Sequence, residues 1–119
     1  ANFIGDANVV KAEVINKQSN KYELKLAEMN INIESEKDLN SSVSVALRPE
    51  KIRIDKNKTE NSIEAKINNA SFVGSSYQYI MNSKIGKLYV VSGDTNNAFK
   101  VNEVVYLTIN QEEIKILND

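Results

Sequence analysis

The chain has 119 residues, 41% of them hydrophobic, enough for one domain with a core of its own. Its 15 basic residues against 16 acidic ones leave a net charge of −1, which excludes the strong basic excess of a dedicated nucleic-acid binder and the polybasic run of a membrane-surface binder. Cysteine and histidine are both absent, so disulfides, thiolate chemistry, zinc sites of the Cys/His kind and imidazole acid–base catalysis are excluded together.

In chain order, the sequence opens at Ala1 without a methionine, directly in apolar Phe3-Ile4, and reads as a piece cut from something longer. Val10, Ala12 and Val14 alternate with Lys11 and Glu13 as a half-buried strand, and Lys17-Gln18-Ser19-Asn20 reads as a turn. Tyr22, Leu24 and Leu26, then Met29, Ile31 and Ile33, continue the period of two as successive strands of a meander. An acidic loop over 34–40 follows. Val43, Val45 and Leu47 form the next strand, the sole proline, Pro49, fixes a corner, and the alternation restarts at Ile52 and Ile54.

The charged stretch 55–61 divides the chain into two halves. Ile63, Ala65 and Ile67 open the second half; Gly74 allows a positive φ or a bulge; 77–81 is aromatic and β-prone. A turn at Ser83-Lys84-Ile85-Gly86, a strand over 87–92 and a long polar turn over 93–97 precede the last strands, 104–109 and 114–117. The polar segment 110–113 has room for one helical turn. No stretch carries a helical stripe over three turns. The class is all-β, a small barrel of short antiparallel strands resembling the oligonucleotide/oligosaccharide-binding (OB) type, with an immunoglobulin-like sandwich second.

Catalytic patterns are missing. Gly86-Lys87 is followed by Leu88, with Met81 where a P-loop needs its earlier glycine, and neither a dinucleotide fingerprint nor a nucleophile elbow occurs. Paired carboxylates, Glu112 with Glu113 or Glu34 with Glu36, read as a solvated acidic face. Arg48 and Glu50 flank the proline, placed either to clamp a partner or to pair with each other. Tyr77 and Tyr79 either stack on a base or sugar or pack in the barrel. From composition and spacing the chain is a non-enzymatic all-β domain.

Several segments resemble a known family. Asn2-Phe3-Ile4-Gly5-Asp6-Ala7-Asn8 is similar to the junction that follows the ATPase domain in importer-type ABC proteins. Val45-Ala46-Leu47-Arg48-Pro49-Glu50-Lys51-Ile52-Arg53-Ile54 resembles the Arg-Pro-Glu signature of their C-terminal TOBE domain. Ser71-Phe72-Val73-Gly74-Ser75, Val101-Asn102-Glu103-Val104-Val105-Tyr106-Leu107 and Glu113-Ile114-Lys115-Ile116-Leu117 resemble later segments, with Asn102 where the family has glycine.

The resemblance implies that residues 1–119 form a single TOBE domain, OB-like, at the C-terminus of an ABC importer's ATP-binding subunit. It implies a regulatory and dimerising role, polyamine (spermidine/putrescine) uptake as cargo, and ferric iron, sugar or phosphonate importers as alternatives. ATP and Mg²⁺ would be bound by the absent ATPase domain, with no cofactor or metal in these residues. The implied partners are that ATPase domain, a second ATP-binding subunit in a homodimer and the inner-membrane permease, at the cytoplasmic face of the bacterial membrane without direct insertion. The positions carried over as regulatory or interface candidates are Gly5, Asn8, Arg48, Pro49, Glu50 and Gly74. A stand-alone oxyanion-binding module is the second expectation. A single-stranded nucleic-acid binder is a third, opposed by the net charge.

Overall fold

The computed structural model describes residues 7–117. Alternating apolar residues produce ten strands: β1 (Asn8–Gln18), β2 (Lys21–Leu26), β3 (Met29–Glu34), β4 (Ser42–Leu47), β5 (Arg53–Asp55), β6 (Ile63–Phe72), β7 (Tyr77–Ser83), β8 (Gly86–Ser92), β9 (Val104–Thr108) and β10 (Ile114–Ile116). Two 3-10 turns interrupt them, Pro49–Lys51 after β4 and Gln111–Glu113 after β9. The all-β, OB-like class expected from the sequence is the one found, and the helical turn expected over 110–113 is there. The first expected turn is shorter than its composition suggested, because Lys17 and Gln18 still pair with Tyr22 and Lys21, and only Ser19 and Asn20 reverse the chain.

The strands form two five-stranded antiparallel sheets, ordered β10-β4-β1-β2-β3 and β5-β9-β6-β7-β8. The two orders are one pattern used twice. A long first strand (β1, β6) pairs with its hairpin partner on one side and with the fourth strand on the other. Each long strand carries one bulged residue, Ile15 in β1 and Asn68 in β6.

The fifth strand of each sheet is exchanged. β5 follows β4 in sequence but pairs with β9, with Ile54 opposite Leu107. β10 follows β9 but returns to β4, with Ile114 opposite Leu47 and Ile116 opposite Val45. The boundary between halves therefore falls at the Pro49 corner, ahead of the charged stretch 55–61, since period-two patterning cannot say which sheet a strand joins.

One apolar core spans both sheets, with Leu24, Leu26, Ile31, Val45, Ile67, Met81 and Val90 among its buried members. Two tyrosines are anchored in it in the same way. The Tyr22 hydroxyl accepts the Leu39 N–H at 3.3 Å, and the Tyr79 hydroxyl accepts the Phe99 N–H at 3.1 Å, so each sheet pins its own long loop. Burial pushes the Tyr79 phenol above the ordinary tyrosine range.

The first loop is tied down again at the surface, where Lys17 Nζ meets Asp38 Oδ1 at 2.8 Å. The Lys17 hydrogen bond holds the Asp38 carboxyl below its ordinary value, and the same bond raises Lys17. The stability this pair adds is thus present above about pH 4 and is lost as pH falls through Asp38's depressed value. On the alkaline side it persists to about pH 10 and is lost as pH rises through Lys17's raised value. Melting temperatures of the wild type and Asp38→Asn are expected to differ at pH 7 and to converge in acid.

Asn102 adopts a left-handed φ of 75°, as expected of a residue standing in for glycine. Its N–H donates to Ile67 O at 2.8 Å, so the turn is anchored to β6. Asn102→Gly is expected to leave stability unchanged or raise it by up to about 1 kcal/mol, whereas Asn102→Val lowers it by about 1–2 kcal/mol. Urea unfolding of both variants checks this.

Candidate functional site: the proline corner

The corner forms because Pro49 presets its φ and ends β4. Arg48 before it is extended (φ −73°, ψ 132°), and the Lys51 N–H closes the 3-10 turn onto Arg48 O at 3.0 Å. Pro49 is buried. On the outside, Arg48 Nη1 stands 3.8 Å from Glu50 Oε2, with the two side chains 65% and 39% exposed. A pair this open and this long is worth about 0.2–1 kcal/mol, so both charges stay available to a partner.

Asn8 lies behind the corner, at the start of β1 and opposite Leu47. It is only 4% exposed, and every polar atom of its side chain is used. Nδ2 donates to Leu47 O at 3.1 Å and to Tyr89 O at 2.9 Å, while Oδ1 accepts the Tyr89 N–H at 2.7 Å. One amide thus ties the residue before Arg48 to the edge strand of the other sheet. Asn8 thus fixes the corner from behind, with a carboxamide that donates and accepts at once, as neither a carboxylate nor an apolar side chain does.

A cleft of about 580 Å³ opens beside the corner, lined by Glu50, Ile52, Arg53, Val91, Asp94 and Phe99 among others. Asp94 in its wall accepts from Asn97 Nδ2 at 2.9 Å and from the Asn96 N–H at 3.1 Å. These donors, the Asn97 side chain first, hold its carboxyl below the ordinary aspartate range. Asp94 thereby staples its own loop.

The other sequence candidates lie elsewhere. Gly74 has φ +88° and sits in the β6–β7 turn, where the Val73 N–H donates to Ser76 O at 2.9 Å; it takes no part in the corner. Gly5 lies outside the described residues. The Tyr77 and Tyr79 rings stack at 5.9 Å, and Tyr79 is fully buried, so it packs in the core and offers no face to a base or sugar. Among the described residues, no three carboxylates gather as a metal site; Glu34, Glu36 and Glu112 are exposed and Glu113 is half-buried.

Two amides escaped the sequence reading. Asn61 (φ 57°) accepts the Asn30 N–H on Oδ1 at 2.6 Å and donates from Nδ2 to Asn30 O at 2.8 Å, and Gln111 Oε1 accepts the Asn32 N–H at 2.6 Å. For Asn61 the sequence carried one signal, since Asn61-Ser62-Ile63-Glu64-Ala65-Lys66-Ile67 repeats the pattern of Asn8-Val9-Val10-Lys11-Ala12-Glu13-Val14; the spacing of the bulges at Ile15 and Asn68 matches that repeat in the structure.

Comparisons with known proteins bear on the family and the fold. The chain is 29% identical, over 124 aligned positions, to the Fe(3+) ions import ATP-binding protein FbpC of Fusobacterium nucleatum. All of this chain is matched but only 32% of that protein, so the chain spans about a third of the length of this curated relative. Among solved structures, the cytoplasmic molybdate-binding protein ModG superposes with a TM-score of 0.72 at 10% identity, covering 92% of this chain and 94% of ModG, a likeness of fold. Residues 45–117, which run from β4 through the proline corner to the end of β10, match the model of the TOBE domain, and the chain belongs to that family.

Proposed function

We propose that this chain is the non-catalytic C-terminal regulatory domain of an ABC importer's ATP-binding subunit. The observation that carries the reading is the match of the whole chain to about a third of an iron-import ATP-binding protein. An open Arg48–Glu50 pair on a rigid corner, with its backbone fixed from behind by Asn8, is suited to receive a partner's charged surface. The partners are the chain's own ATPase domain, a second ATP-binding subunit and the permease, at the cytoplasmic face of the membrane; ATP and Mg²⁺ belong to the ATPase domain. Among the described residues no helix is long and apolar enough to cross a membrane.

For the cargo, ferric iron is the reading with a relative behind it, whereas spermidine/putrescine rests on the family resemblance of the sequence segments alone. An immunoblot of source cells with antibody raised against this domain tests the assignment. A band about three times the fragment's size, carrying ATPase activity after capture, is expected; a band of the fragment's own size overturns it. The likeness to ModG favours one second reading, an oxyanion-binding module. Calorimetric titration of the chain with molybdate, sulfate and phosphate distinguishes the two, heat from any of them supporting the module.

A further inference from the structure

A sheet edge exposes a row of backbone N–H and C=O groups that another strand can pair with. In this molecule the outer edges of β3 and β8 are met by side-chain amides from the opposite half. Asn8 takes both backbone groups of Tyr89 on β8, and Asn61 takes both backbone groups of Asn30 on β3. The geometry is the same twice: one carboxamide accepts the N–H at 2.6–2.7 Å and donates to the carbonyl at 2.8–2.9 Å, as a neighbouring strand would. On β3 the next outward N–H, of Asn32, is also taken, by Gln111.

We infer that Asn61 is a second latch, equivalent to Asn8, and that Asn61 and Gln111 together close the β3 edge against pairing with a second copy of this chain. The left-handed backbone at Asn61 serves this purpose, turning the carboxamide onto Asn30 where an extended residue would continue a strand. Asn8 is buried and holds the corner; Asn61 is exposed and guards an edge. Gln111 belongs to the 3-10 turn that carries the chain into the exchanged strand β10, so the guard is in place only when β10 has docked.

Asn61→Gly tests the latch cleanly, because glycine keeps the left-handed φ and removes only the carboxamide. Amide hydrogen exchange on the 119-residue chain is expected to speed about tenfold at Asn30 in Asn61→Gly and at Asn32 in Gln111→Ala, with Tyr89 unchanged in both; tenfold corresponds to one hydrogen bond of about 1.4 kcal/mol. Sedimentation of the Asn61→Gly/Gln111→Ala double variant is expected to show association that rises with concentration and exceeds the wild type's. Unchanged exchange at Asn30 overturns the latch. A double variant that exchanges faster at both positions yet associates no more than the wild type overturns the guarding of the edge.

Discussion

Replacing Asn8 with alanine is expected to lower the unfolding free energy by about 3 kcal/mol, a large effect for a side chain that contributes almost nothing to the apolar core. The variant removes the carboxamide partner of the Tyr89 N–H and carbonyl, which are part-buried, and a donor from Leu47 O, which is buried, at the seam between the two sheets. Each unsatisfied buried group costs about 1–3 kcal/mol, whereas a net hydrogen bond gained from water is worth about 1 kcal/mol, so the loss comes chiefly from what is left behind. Asn8→Asp separates this account from simple loss of packing. Its carboxylate keeps the acceptor for Tyr89 N–H but faces two carbonyl oxygens, which favours the protonated form and raises its folded pKa. Its stability deficit should therefore be largest at pH 7 and shrink as pH falls towards 4, where the acid can donate. Chemical denaturation at the two pH values reads this directly. An Asn8→Asp deficit independent of pH would contradict the donor role.

The second large effect is expected at the other end of the chain. Ile114→Ala should lower stability by about 3 kcal/mol, since Ile114 is buried opposite Leu47 in the shared core. The informative part is where protection is lost. Because β10 closes the sheet of β4 and β1, hydrogen exchange should accelerate at residues 43–47 more than in β9, which precedes β10 in sequence. A chain ending at Glu113 should lose more, as it also gives up the half-buried Ile116 and the Leu117 N–H bond to Ser44 O. Faster exchange confined to β9 would show that the exchanged pairing does not carry the coupling.

Local chemistry made much of the fold legible. Period-two runs such as Tyr22-Leu24-Leu26 bury alternate residues as read, because a pleated strand offers no other way to sort apolar from charged side chains. Pro49 and Gly74 fixed a corner and a turn through their own backbone restrictions. The Arg48, Pro49 and Glu50 corner was visible for the same reason, whereas the task of Asn8 was not, since its partner Tyr89 is distant in sequence and joined to it only by folding. Asn61 and Gln111 were hidden in the same way, as polar residues in polar segments.

The sequence by itself thus determined the all-β class, the position of most strands and the rigid corner, each set by steric and hydrophobic rules acting over a few residues. Only the tertiary structure decided that the strands sort into two matching sheets, that β5 and β10 cross between them, and that single carboxamides seal the seams. Those outcomes rest on pairings between segments tens of residues apart. Which edge a strand joins depends on how the assembled core is best covered, and no local pattern carries that information.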